Sequence, residues 1–290
     1  HPVFRVFRYM AKYFIATFIL LALGIAVVYF TSGVPSVEKT DVSFLASATG
    51  PHFFQDPSRS LKNIVIFGFY FVPKNKLIHL NGDWKAQAES NLEKLKNFHA
   101  LQFRGKSQVR YELYPDPVIG REENLFYDTE ITQGGNPRAL ISVAEELEKR
   151  IFKPDGDLHT PNFKRPADEY PVSAIFYEGV GAAGGAIQDS QLNFPVEIAE
   201  SLGIPESAIF ILDVESVNGL LLVNREYLSG ERGPNGDSIF AHEFYHTLGA
   251  PDGYAHESGI AGTSDLMGLG RMRPLAHTYL DKETLKSFGL

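Results

Sequence analysis

The stretch 242-HEFYHTLGAPDGY-254 places two histidines four residues apart around a glutamate, then a glycine and an aspartate at intervals of three. Ahead of it, Asp237 and Ser238 are helix-capping residue types, and Gly249 is the type that ends a helix in a left-handed conformation. The pattern predicts a helix closed by Leu248, with His242 and His246 on one face about a turn apart. Two imidazole nitrogens so placed can converge on one zinc ion (Zn2+) at about 2.0–2.1 Å each. Two nitrogens hold zinc poorly, and a turn at Gly249 delivers Asp252 as a third, hard ligand while leaving a coordination position open. Glu243 sits beside the pair but is rotated away, so that its carboxylate can face a bound water. Ile239, Phe244 and Leu248 are left to bury the helix.

Working upstream, 61-LKNIVIFGFYFVP-73 reads as a buried strand ended by Pro73. Asp83 is placed to cap a helix to about Ala100, with Trp84, Ala88, Leu92, Leu95 and Phe98 along one side. A strand over 107-SQVRYELYP-115 follows, then a helix capped by Asn136 with Pro137 at its first position, then a strand at 171-PVSAIFYEGV-180. The glycine-rich 178-EGVGAAGGA-186 lacks the register of a phosphate cradle and reads as a flexible loop or cleft rim. The segment 208-AIFILDVESVNGLLLVNREYL-228 reads as a hairpin turning at Asn218–Gly219. This order of strands and helices predicts a single α/β ectodomain.

The motif also carries a resemblance. The segment 242-HEFYHTLGAPD-252 looks like the extended zinc signature of the metzincin metallopeptidases, in the variant with Asp as third ligand. Downstream, 263-TSDLMG-268 resembles the Met-turn of that clan, with Met267 as its methionine. The Asp variant is that of immune inhibitor A-type and snapalysin-type peptidases, and 273-RPLAHTYLDKETLKSFGL-290 is similar to the closing segment of the former. The resemblance implies an α/β (α+β) zincin/metzincin-like catalytic domain: a mixed twisted sheet, backing helices and an active-site helix. It also implies zinc on His242, His246 and Asp252, with Glu243 as general base and Met267 beneath the ligands. The likeness covers about the last fifty residues. No tyrosine follows the Met-turn closely; Tyr254 is the candidate to stand in for a transition-state tyrosine. The same "GTSDLMG" resembles the GTxD element of aspzincin peptidases, which keeps Asp265 open as an alternative third ligand.

Composition bounds the rest. The chain has 290 residues, is 44% hydrophobic, carries a net charge of −8 and has no cysteine. A folded core is affordable at that length, phosphate-driven nucleic-acid binding is disfavoured, and thiolate chemistry is excluded. The stretch 13-YFIATFILLALGIAVVYF-30 contains no charge, close to the roughly 20 apolar residues that cross a bilayer. Arg5, Arg8 and Lys12 precede it, and no positive charge follows until Lys39. By the positive-inside rule this predicts a short cytoplasmic end at 1–12 and a transmembrane signal-anchor at 13–31, with a cleavable signal peptide as the rival. A stalk at 32–60 and an extracytoplasmic metallopeptidase domain at 61–290 complete the expected organisation.

The function expected from these readings is a single-pass, membrane-anchored zinc endopeptidase acting on extracytoplasmic proteins or peptides through a zinc-activated water. The alternative is a catalytically silent relative serving as a subunit or binding module of a membrane protein complex. Its lipid contact is the N-terminal helix.

Overall fold

The strand at Asn63–Val72 is apolar at nearly every position and is buried along nine of its ten residues. A strand covered on both faces belongs in the middle of a sheet flanked by two layers of helix. The computed structural model, which describes residues 50–128, 137–150, 169–188, 191–193, 210–211, 217–230, 235–253 and 264–290, shows that arrangement. The segment 13–31 expected to cross a membrane lies outside the described residues, as does Tyr254. Among the described residues no helix is long and apolar enough to cross a membrane.

Two short strands, β1 (His52–Phe53) and β2 (Asp56–Ser60), pair antiparallel at the start. The main sheet comprises β3 (Asn63–Val72), β4 (Gln108–Leu113), β5 (Val118–Ile119), β6 (Glu169–Tyr177), β7 (Ala182–Gln188), β8 (Gln191–Asn193), β9 (Phe210–Ile211) and β10 (Gly219–Asn224). Its order is β4-β3-β6-β10-β7-β8-β9, with β5 extending the pairing of β3. The strands β4, β3, β6 and β10 run parallel; β7, β8 and β9 are added antiparallel. The helices are α1 (Trp84–Gln102), α2 (Asn124–Tyr127), α3 (Pro137–Arg150), α4 (Arg225–Leu228), α5 (Gly236–Thr247) and α6 (Lys282–Ser287).

Alternate residues of β3 enter two separate cores, as the two-residue period of a strand requires. Ile64, Ile66, Tyr70 and Val72 pack with α1 and α5, whose contributions include Trp84, Leu92, Leu95, Phe240, Phe244 and Leu248. Val65, Phe67, Phe69 and Phe71 pack on the other face with Leu140, Val143 and Leu147 of α3. The five residues expected along the buried side of α1 are all in the first core. Asp83 stands at the start of α1 but makes no side-chain capping bond.

Three expectations are corrected. Asn218–Gly219 is not a hairpin turn: β10 enters the centre of the sheet between β6 and β7, while β9 lies at the far edge. Leu220 to Val223 are buried, and only a central position covers both faces of such a run. The glycine-rich segment is a loop only over Glu178–Gly181; Ala182–Gln188 forms β7, on which α5 rests. A Cβ on Gly184 would lie 2.3 Å from the Glu243 carbonyl oxygen, and one on Gly219 would lie 2.5 Å from the Thr247 Cβ. Glycine there provides close approach rather than flexibility. Finally, the globular unit begins before residue 61. Phe53 is in the core, the His52 N–H donates to the Phe288 carbonyl at 3.0 Å, and the Phe54 N–H donates to the Leu248 carbonyl at 3.1 Å.

Gly184→Ala is expected to destabilise the protein by about 1–3 kcal/mol, as overpacking against backbone does. Thermal unfolding would show a drop of several degrees in Tm. Gly82→Ala, where an added Cβ meets nothing within 4 Å, should leave Tm nearly unchanged.

Candidate metal centre

The helix α5 is buried from Phe240 through its end, with His242, Glu243 and His246 among the buried side chains. Neither Asp237 nor Ser238 caps it. The helix starts at Gly236 after Asn235; Asp237 pairs with Lys94 at 2.9 Å, and the Ser238 hydroxyl donates to the Arg273 carbonyl. Leu248 closes the helix as expected, and Gly249 follows with φ +90°. A side chain on Gly249 would be strained in that conformation and would also strike the Phe53 ring 2.4 Å away. The turn folds the chain back toward its own helix and carries Asp252 to the histidines.

His242, His246 and Asp252 are all buried, and one potential ligand atom from each lies within 4.8 Å of the others. The two Nε2 atoms are 3.0 Å apart, and the Asp252 Oδ1 is 3.2 Å from each. Atoms held about 2.0–2.1 Å from a tetrahedral zinc would lie about 3.3 Å from one another. The tautomers follow from the partners of the other ring nitrogens. His242 Nδ1 donates to the Leu266 carbonyl at 2.9 Å, and His246 Nδ1 donates to the Ala250 carbonyl at 2.8 Å. Carbonyls only accept, so each neutral ring presents a bare lone pair on Nε2. Neither carboxylate oxygen of Asp252 accepts a hydrogen bond among the described residues, although both are buried.

Three acceptors converging without a donor repel one another unless a cation or a proton lies among them. The chemistry of this donor set fits a metal ion, and the backbone carbonyls that orient each ring supply the outer support metal-binding histidines ordinarily have. The metal-free electrostatics tell the same story from the proton side. Burial, aided by His246, pushes the His242 imidazole down to about 4. For His246 burial also opposes protonation, yet Asp252 and Glu243 outweigh it and the shift is upward. Burial opposes charge on Asp252, but the two imidazoles hold its carboxyl well below the usual range.

The segment after the ligands braces them. The Leu266 carbonyl orients His242, and the Met267 carbonyl accepts from the Gly253 N–H at 2.7 Å, pinning the neighbour of Asp252. Met267 itself is buried in the core shared with α5. Asp265 is not brought to the histidines: its Oδ1 accepts from the Asp281 N–H at 3.2 Å, and its backbone bridges to Tyr279. The described geometry therefore groups Asp252, not Asp265, with His242 and His246.

Glu243 is buried, and burial ahead of neighbouring charges raises its carboxyl to about 7. A dipositive ion among the ligands would draw it back toward the carboxylate form. Arg271, on the single turn at Leu269–Met272 that packs against α5, acts on both His242 and Glu243 with its positive charge. Sequence reading missed Arg271; the only signal was a cation four residues after Met267.

A second missed group lies behind the helix. The Tyr245 hydroxyl is 3.2 Å from His99 Nδ1, His99 Nε2 is 2.7 Å from the Ser107 hydroxyl, and that hydroxyl donates to the Leu61 carbonyl at 2.5 Å. Because the Leu61 carbonyl only accepts, the chain runs one way, Tyr245 to His99 to Ser107 to Leu61, with every group satisfied. Burial holds His99 down to about 3, so the ring is neutral. The chain locks the back of α5 to α1 and to the approaches of β3 and β4. A groove of about 740 Å³ near the start of α5, lined by Phe98, Leu101, Tyr227 and Leu275 among others, contains none of the three converging side chains.

No protein-family model matches the chain, and no curated protein matches it in sequence.

If the three converging side chains hold the metal, Asp252→Ala should abolish stoichiometric zinc after purification, read by elemental mass spectrometry. Asp265→Ala should retain it. Zinc lost from the second variant and kept in the first would transfer the ligand role to Asp265.

Proposed function

We propose that this chain is a zinc-dependent endopeptidase with a metzincin-like catalytic domain, tethered to a membrane by its N-terminal segment and acting outside the cytoplasm. The observation that carries the reading is the buried set of three acceptors on His242, His246 and Asp252, with the Glu243 carboxyl beside two of them in sequence. The mixed sheet, the helix lying on its antiparallel strand and Met267 in the core shared with α5 support the metzincin-like part. The uncharged run at 13–30 supports the tether.

Bound zinc supplies Lewis acidity, lowering the pKa of a coordinated water toward about 7 and polarising a peptide carbonyl. His242 and His246 are held for this task by their Nδ1 bonds, which keep Nε2 free of hydrogen. Asp252 contributes negative charge without a competing hydrogen bond. Glu243 accepts the proton of the attacking water and returns it to the leaving amine. Arg271 is one candidate to supply positive charge toward the developing oxyanion, a task for which no tyrosine follows Met267 closely. Tyr254 is the other candidate for that task. A catalytically silent subunit of a membrane protein complex would have no chemical need for Glu243.

The deciding experiment incubates the detergent-purified protein with a broad peptide library and reads new termini by mass spectrometry. Wild type should cleave. Glu243→Ala should keep its zinc and lose about 10²–10⁴-fold in rate, the usual contribution of a general base. Zinc-loaded wild type that cleaves nothing would favour the silent subunit.

Arg271→Ala should lower kcat by about 10²-fold with zinc content unchanged, and Arg271→Lys should recover part of the loss. An effect confined to KM would reassign Arg271 to substrate binding.

A further inference from the structure

At the end of β3 away from its start, two short turns stand side by side and turn their large apolar side chains to solvent. The first is the single-turn helix at Lys74–His79, which has no buried residue. The second is α2, of which only Tyr127 is buried. Ile78 is 87% exposed, Leu125 79% and Phe126 54%, with Leu77 and Leu80 next to Ile78 also exposed. Singly such residues need no explanation, but five on adjoining turns form a patch of the kind that marks an interaction surface.

The turns are held rigidly rather than frayed. Asn75 and Asn124 exchange bonds: the Asn75 side chain donates to Asn124 Oδ1 at 2.6 Å, and the Asn124 N–H donates to Asn75 Oδ1 at 2.8 Å. The Lys74 N–H donates to the Glu122 carbonyl at 2.9 Å. Below, Tyr127 packs edge-on against Phe71, and its hydroxyl donates to Glu146 at 2.5 Å. The fold thus fixes the apolar tips outward.

We propose that these paired turns dip into the interfacial region of a lipid bilayer, orienting the domain on the membrane that its own N-terminal segment occupies. Residues 32–49 can span at most roughly 60 Å when fully extended, so a domain tethered by 13–31 stays within reach of lipid. Tethering makes the contact effectively intramolecular, and a modest apolar patch is then sufficient. Lys74 and Lys76 flank the first turn with no acidic residue between Pro73 and Gly82, and their stems can lie along the patch while the ammonium groups reach headgroups. Arg121, ahead of the second turn, is offset by Glu122 and Glu123, so the attraction is apolar and does not need anionic lipid. The inference rests on the tether and not on the peptidase reading.

The chain has no cysteine, so Ile78→Cys accepts a single environment-sensitive fluorophore. The full chain would be reconstituted in phosphatidylcholine vesicles with and without nitroxide-labelled acyl chains. Leu125→Cys would serve as the second site, and Lys286→Cys, on exposed α6, as the aqueous reference. Labels at 78 and 125 should emit at shorter wavelength than the label at 286 and be quenched several-fold more by the nitroxide lipids. The fluorescence of Trp84, stacked on Tyr70, reports that each variant is folded. Labels at 78 and 125 that aqueous iodide quenches as readily as the label at 286 would overturn the proposal. Burial of either label only after a protein extract is added would overturn it in favour of a protein partner.

Discussion

The contact on which the rest of this structure depends is the approach of α5 to the sheet at Gly184 and Gly219. With a Cβ at either position the helix backbone would be pushed outward, since the nearest atoms of Glu243 and Thr247 would be 2.3 and 2.5 Å away. Each of those two residues directly follows one of the histidines, so the height of the helix above the strands sets the height of the imidazoles. From that seat the Leu266 carbonyl meets one ring and the Ala250 carbonyl the other. The closing turn at Gly249 fits over Phe53 by the same device, an absent side chain. The shape of the centre is thus fixed by what three glycines leave out.

A close seat does not by itself fix rotation about the helix axis. That is the part played by the polar chain from Tyr245 through His99 and Ser107 to Leu61. Tyr245 lies between the two histidines in sequence and about 60–100° around the helix from them, on its flank, so a bond on its hydroxyl acts as a brace against turning. The surrounding rings reinforce it: His99 stacks on Phe103 at 4.0 Å, and Tyr245 meets Phe98 and Phe288. A buried chain of this kind is stabilising only when each member is satisfied. Here the carbonyl at its end makes the donor sequence unique, so no member is left over.

The grouping of His242, His246 and Asp252 was legible from sequence because its spacing is local. His242, Glu243, His246, Gly249 and Asp252 are tied by helix and turn geometry within eleven residues. The buried side of α1 and the strand β3 were legible for the same reason, their periodicity being contained within the element. The misreadings have one cause: each involved a residue whose role is set by a distant backbone. Gly184 looks like a loop former until Glu243 is placed above it, and Asn218–Gly219 looks like a hairpin until β6 and β7 claim β10 from both sides. Phe53 looked like part of a stalk because its partners, Tyr170 and Gly249, are more than a hundred residues away. Asp265 and Asp252 were both eligible by residue type; the fold brings Asp252 to the two imidazoles, while Asp265 accepts from the Asp281 N–H instead.

The centre also bears on folding. The helix α5 carries His242, Glu243, Tyr245 and His246 into a fully buried position, and polar groups are tolerated there only with partners. Tyr245 has its chain and each imidazole has a carbonyl on Nδ1, but the Asp252 oxygens accept no hydrogen bond among the described residues and face the inward-turned Nε2 atoms. Left so, the repulsion would work against the close seat on Gly184. A cation placed among the three reverses its sign, so binding energy at the centre becomes energy that holds Gly249, the Leu266–Met267 turn and α5 together. On this reasoning an ion received among these three acceptors would also cross-link the helix and the last segment of the chain.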